Sequence, residues 1–286
     1  MNVTSPVLAV HGIGNRQRGL DPVQAAAALA GKWQPNLARG FAAAGFTSPV
    51  PELRAAYYAH LLAAAEAQGA GDDERVESLS AEEASLAWAW LRGAGVPDPA
   101  DAQGPVTMPV RQGLDWLARR RRVPVSLLAR IAVAFAREVH AYLATPERRR
   151  QARAQVAEAI SEHRPRVVLA HSLGSVVTYE ALHAHPDLEV ELLVTLGSPL
   201  GLPGAVFDVL EPGPVGGKGA RPPGTARWVN LADPGDLVAV PQRLGDRFPV
   251  DLHDEAFIGL GNFHSLAGYL GTALTATTIA PYTGAS

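Results

Sequence analysis

The chain contains no cysteine in its 286 residues. That absence excludes a disulfide framework, a thiolate nucleophile and any cysteine-based metal site, and it suits a reducing compartment. A surplus of charge is missing too. The 25 basic and 28 acidic side chains leave a formal net charge of -3, so no global field draws the chain to nucleic acid or an anionic membrane. Long apolar runs are absent. The longest candidate, residues 123–144, carries Arg130, Arg137 and Glu138, so no transmembrane segment is expected. Nor does a charged n-region lead into an apolar stretch and a cleavage site. Val7, Leu8, Ala9 and Val10 run straight into a glycine turn and read as a core strand. The expected location is the cytoplasm.

What is present supports a sizeable core. Apolar residues make up 47% of a chain long enough for one large domain, 1–286, or for such a domain with an inserted subdomain. Near-continuous apolar runs at 7–10, 166–170, 192–196 and 227–232 read as strands buried on both faces, and 53–58 is a weaker fifth. Helical patterns at 22–44, 146–162 and 175–184 lie between them. Alternating strands and helices predict an α/β fold with a mostly parallel central sheet and helices on both faces. Residues 60–145 break the rhythm. Helical runs at 81–91, 109–122 and 126–143 predict a helical insertion, a cap over one end of the sheet. The glycine- and proline-rich residues 211–224 predict an irregular loop.

The sharpest local signal is Arg166-Val-Val-Leu-Ala-His171-Ser172-Leu173-Gly174-Ser. An apolar strand ends at Ala170, a tight turn carries Ser172, and a helix begins by Ser175. This is the strand–turn–helix setting of a G-x-S-x-G nucleophile elbow, with Ala170 in place of the first glycine. Small residues two positions either side of the serine let strand and helix approach closely. The turn is expected to expose the Ser172 hydroxyl beyond the sheet's C-terminal edge, where the next helix also aims its free N–H groups. Two competing motifs fail. His11-Gly12-Ile13-Gly14 does not open a dinucleotide fingerprint, because Gln17 fills the third glycine position. Gly216-Gly217-Lys218-Gly219 does not make a phosphate loop, because Pro212 and Gly219 stand where Gly and Ser/Thr belong.

Four stretches in order carry a resemblance: Val10-His11-Gly12-Ile13-Gly14, Ala170-His171-Ser172-Leu173-Gly174, Leu196-Gly197-Ser198-Pro199, and a late Asp and His. Together they resemble the α/β-hydrolase superfamily, and within it the lipases and esterases with an HGxG loop. The resemblance covers residues 5–58 and 146–275; the segment 60–145 matches nothing in that pattern. It implies Ser172 as nucleophile, with an oxyanion hole formed by the N–H groups of Leu173 and Ile13. His11, Gly12, Gly14, His171 and Gly174 would shape the site. The implied chain order of Ser, acid, His leaves His253 and His264 as candidate bases. His264, in a glycine-rich loop before the apolar helix 266–274, is preferred over His253, which reads as the end of a strand. Asp236, followed by Leu-Val-Ala-Val-Pro241, is the candidate acid, and Asp233 before Pro234-Gly235 is the alternative.

The expected activity is therefore that of a serine hydrolase cleaving a carboxylic ester through an acyl-enzyme, without metal or cofactor. The same residues would serve a thioesterase, peptidase or acyl-transferring cyclase, and a non-catalytic binding protein on the same fold is the alternative of another class. In the insertion, Trp88, Trp90, Leu91, Leu114, Trp116 and Leu117 and the helical stripe Leu127, Leu128, Ile131, Phe135, Val139, Tyr142 and Leu143 make either the cap's own core or the wall of an apolar pocket. The expected partner is a small molecule with an apolar acyl or alkyl group, not a nucleic acid. The arginine runs 119–122 and 148–150 read as solvated helix ends.

Overall fold

The computed structural model describes residues 6–62, 75–98, 105–259 and 264–284. In chain order its elements are strand β1 (Val7–Val10), helix α1 (Pro22–Ala43), β2 (Leu53–Ala56), α2 (Ala59–Leu62), α3 (Ala81–Gly93), α4 (Met108–Arg121), α5 (Val125–Leu143) and α6 (Pro146–His163). They continue with β3 (Val167–His171), α7 (Leu173–Ala184), β4 (Val190–Leu196), β5 (Thr225–Ala232), β6 (Leu252–Glu255), α8 (Leu266–Leu270) and α9 (Ala273–Thr283).

Local chemistry sets the helix starts. Asp21 caps α1 by accepting the Gln24 N–H at 2.9 Å, and the Gln24 side chain returns to the Asp21 N–H. Ser80 and Glu83 make the same reciprocal box on α3. The expected helix 266–274 is two helices instead. Thr272 interrupts it by donating to the Tyr269 carbonyl at 2.9 Å while accepting the Thr275 N–H at 3.1 Å, which starts α9 afresh.

The six strands form one all-parallel sheet in the order β2-β1-β3-β4-β5-β6. Strands β1, β3 and β4 are almost wholly buried, as their apolar runs demand. The edge strand β6, with Asp254 and Glu255, is mostly exposed and charged, which discourages further pairing. It is the strand whose end His253 was expected to mark. The chain leaves β1 for β2 on one side and returns to β3 on the other. The order thus reverses between β1 and β3, and the loops after these two strands diverge to leave a crevice there.

Two apolar layers cover the sheet. Leu29, Trp33 and Leu37 of α1 pack with Leu270 and Ile279 on one face, against Val7, Ala9, Leu169 and Val194. On the other face Leu8, Val10, Val168, Ala170 and Trp228 join α6 and α7. Helices α3, α4 and α5 share that second core. Trp90, Leu91, Leu114, Leu117, Phe135, Val139 and Tyr142 are all buried in it, while Trp88, Trp116 and Ile131 are partly buried against it. Their core is thus continuous with that of the sheet.

One expectation needs correction. Arg149 is not a solvated helix end: its side chain is 8% exposed and forks onto the fully buried Glu180 of α7. Residues 148–150 lie in the first turn of α6, where the Arg149 side chain turns inward to a buried acid rather than outward to water. Residues 211–224 hold no helix or strand, as expected. Val215 and Lys218 pair around Gly216-Gly217 as a minimal antiparallel bridge. No helix among the described residues is long and apolar enough to cross a membrane.

Candidate active site

The crevice between β1 and β3 receives the elbow from one side and the glycine loop from the other. Ser172 sits between β3 and α7 with φ 54 and ψ -130, a conformation that costs a non-glycine residue about 1–3 kcal/mol and persists only where its surroundings enforce it. Two contacts enforce it: the Ser172 N–H donates to the Leu196 carbonyl at 3.0 Å, and its carbonyl accepts from Ser175 N at 2.9 Å. Gly174 lets α7 approach β1, since a Cβ there would overlap the carbonyls of Val10 and His11. Gly12 likewise lies against the serine, and a Cβ would overlap Ser172 Cβ. Ser172 is consequently 0% exposed, not held out to solvent as the turn alone suggests. The loop after β1 covers it.

His264 precedes α8. Its Nδ1 lies 2.9 and 2.8 Å from the two carboxylate oxygens of Asp236. That contact requires the proton on Nδ1 and leaves Nε2 as a free acceptor. Asp236 is 2% exposed and is held by the N–H groups of Val238 at 2.9 Å and Ala239 at 3.2 Å, and by the Tyr269 hydroxyl at 2.7 Å. Asp233 is turned elsewhere. It accepts from Gly235 N at 2.5 Å and Ile258 N at 2.6 Å, closing the turn. Of the two candidate acids, the structure pairs Asp236 with His264. His253 bonds Asn230 Nδ2 at 2.8 Å, on β6, away from this group.

Two atoms are conspicuous for what they do not touch. Ser172 Oγ and His264 Nε2 are both buried and neither has a hydrogen-bond partner. An unpaired buried polar atom costs about 1–3 kcal/mol, and Thr178 Oγ1, His183 Nε2 and Thr225 Oγ1 are unpaired as well. His171 joins them: its ring stacks on His264 with centroids 4.5 Å apart, and both its nitrogens are unpaired. Burial, with His264 and His11 nearby, holds the His171 imidazole well below its usual pKa.

His11 is fixed as one tautomer. Its Nε2 accepts the Tyr58 N–H at 3.2 Å, so Nδ1 donates to the Gly12 carbonyl at 2.9 Å. Burial lowers its pKa to about 4, against the opposing effect of the Gly12 bond. The carbonyls of Gly12 and Ile13 both accept from Asn15 Nδ2 at 3.0 Å. In a trans peptide the N–H points opposite to the carbonyl, so these bonds turn the Ile13 N–H away from Asn15. Leu173 opens α7, and its N–H is among those without a partner in the helix.

Sequence reasoning did not find Tyr269, Tyr58, Asn15 or Glu138, which accepts from the Gly14 N–H at 2.6 Å. Tyr269 lies in an apolar helix and reads as core. Asn15, directly after the glycine loop, was the one readable signal, since Asn beside a turn commonly bonds nearby backbone. Among the described residues no group of three or more His, Asp or Glu side chains is arranged to hold a metal ion. A groove of 590 Å³ between α1, β2 and α6 includes neither Ser172 nor His264 among its lining residues.

These features define an α/β protein with an all-parallel six-stranded sheet, whose candidate site lies at the reversal of strand order. No protein-family model, no curated protein and no solved structure matches the chain.

Proposed function

We propose that the chain is a serine hydrolase of the α/β-hydrolase superfamily that cleaves carboxylic esters through an acyl-enzyme. The observation that carries this reading is an Asp236-bound imidazole, His264, whose ring stacks on His171, the residue next to the positive-φ Ser172. Apo geometry of this kind commonly tightens only when substrate binds. Ser172 Oγ attacks the ester carbonyl as its proton passes to His264 Nε2. Charge develops on the carbonyl oxygen, and the N–H groups of Ile13 and Leu173 are the donors for it. The intermediate collapses, His264 gives its proton to the departing alkoxide, and the acyl group stays on Ser172. Water then attacks with His264 again as base, releasing the acid and restoring the serine. Asp236 orients the imidazole and stabilises its cation without taking the proton.

The proposed substrate is a small molecule with an apolar acyl or alkyl part. A reducing cytoplasm is the proposed location, given the absence of cysteine. A fluorophosphonate probe should label the native protein and spare Ser172→Ala, and p-nitrophenyl esters of rising chain length should be hydrolysed only by the former. Labelling that survives in Ser172→Ala would place the nucleophile elsewhere. A preference confined to acetate would remove the apolar acyl site.

A further inference from the structure

One carboxyl group takes no part in this scheme yet touches its frame. Glu138 lies on α5, 124 residues from the glycine loop, and its Oε1 accepts the Gly14 N–H at 2.6 Å. The Gly14 nitrogen belongs to the same rigid peptide plane as the Ile13 carbonyl. That carbonyl is held by Asn15 Nδ2 at 3.0 Å. Both ends of the Ile13–Gly14 plane are therefore tied, one locally and one from another element. The preceding plane, Gly12–Ile13, carries the proposed oxyanion donor and has its own carbonyl held by His11 and Asn15. With the plane after Ile13 fixed, the backbone around Ile13 loses the rotation that would swing its N–H off target. Gly14 itself is left-handed, with φ 73 and open space where a Cβ would lie, so its own packing offers no restraint.

We propose that Glu138 is a positioning residue of the oxyanion loop, anchoring the Ile13–Gly14 peptide from the segment that carries α5. The proposal rests on the hydrolase reading for its catalytic consequence, but not for the anchoring itself. Burial raises the Glu138 carboxyl to about 7, against the lowering effect of the Gly14 bond. Near neutrality the group is thus divided between forms, and each offers an oxygen to the N–H. The anchoring oxygen, not the charge, is what matters, so an amide should replace it.

The test compares Glu138→Gln with Glu138→Ala and Glu138→Met, the last of similar length without a comparable acceptor. On one p-nitrophenyl ester, Ala and Met should lower kcat about 10- to 100-fold with KM little changed, part of the about 10²- to 10³-fold effect of a lost oxyanion donor. Gln should stay within about two-fold of wild type on the same scale. Hydrogen exchange of the amides of residues 12–15 should be about ten-fold faster in Ala and Met, and unchanged in Gln. Wild-type kcat in both Ala and Met, or a Gln variant as impaired as they are, would overturn the proposal. So would unchanged exchange in Ala and Met. If the wild-type protein hydrolyses no ester and resists the fluorophosphonate, the hydrolase reading fails, and the exchange comparison still decides the anchoring. Should Ala fold poorly, as shown by its melting temperature, Met carries the comparison.

Discussion

Asp233 and Asp236 sit three positions apart in the loop after β5, and their surroundings separate them. Asp236 gathers two backbone N–H groups, the Tyr269 hydroxyl and the His264 ring, whereas Asp233 accepts Gly235 and Ile258 N–H groups. The Tyr269 hydroxyl bridges them, accepting from Asp233 N at 2.9 Å while donating to Asp236, and burial beside Asp236 keeps its pKa well above normal. On the proposed reading, Asp236→Asn should lower kcat on the order of 10⁴-fold, because an amide no longer enforces the Nδ1–H tautomer. Asp233→Asn should cost stability, about 1 kcal/mol, with a small effect on kcat. Parallel ester assays and urea titrations of the two variants check this, and the reverse ranking would reassign the acid. Both aspartates lie in one loop, so sequence preferred Asp236 but kept Asp233 as the alternative; the sharp strand–turn–helix at Ser172 was legible because Ala170 and Gly174 flank it. The Tyr269 contact was not, since one tyrosine in an apolar helix gives no sign of where its hydroxyl ends.

At the scale of elements, β1 to β5 and most helices were legible within a few residues because burial on both faces leaves unbroken apolar runs, which the exposed edge strand β6 lacks. What escaped were the long-range polar contacts between elements. Glu180 of α7 receives Arg149 of α6 at 2.8 Å and the Tyr142 hydroxyl of α5 at 2.6 Å, and accepts the Glu211 N–H at 3.1 Å. No spacing rule links residues from three different helices. This buried pair joins the helices over one face of the sheet. Removing the Glu180 charge leaves Arg149 with the half-exposed Glu211, 3.1 Å away, as its remaining carboxylate, so Glu180→Gln should lower the unfolding free energy by about 3 kcal/mol. Chemical denaturation measures this, and a loss below about 1 kcal/mol, typical of an exposed pair, would show that Arg149 is solvated after all.

At the scale of the whole molecule, the buried imidazoles set a direction for pH dependence. His11, with its pKa lowered to about 4, and His171, held well below the usual value, stay neutral in the folded chain. Their unfolded counterparts protonate near 6.5. The unfolded state therefore binds more protons as pH falls below that value. Stability drops with it, by up to about 1.4 kcal/mol per pH unit for each histidine. The raised Glu138 acts oppositely, since the folded form holds its proton from about 7 downward. The comparison is thus best made by difference: between pH 7 and pH 5, urea unfolding of wild type should weaken more than that of His171→Phe. Equal losses in the two proteins would mean that His171 becomes charged in the fold. The parallel sheet was legible from the alternation of strands and helices. The burial of Ser172 was not, because it depends on how loops from distant parts of the chain close over one another. One contact of α3 bears on the making of chimaeras. The Trp90 indole donates to the Leu237 carbonyl at 2.6 Å, immediately after Asp236. A foreign cassette grafted in place of α3–α5 would have to bring its own clasp for that carbonyl, or the scaffold around the carboxylate would loosen wherever the new helices came from.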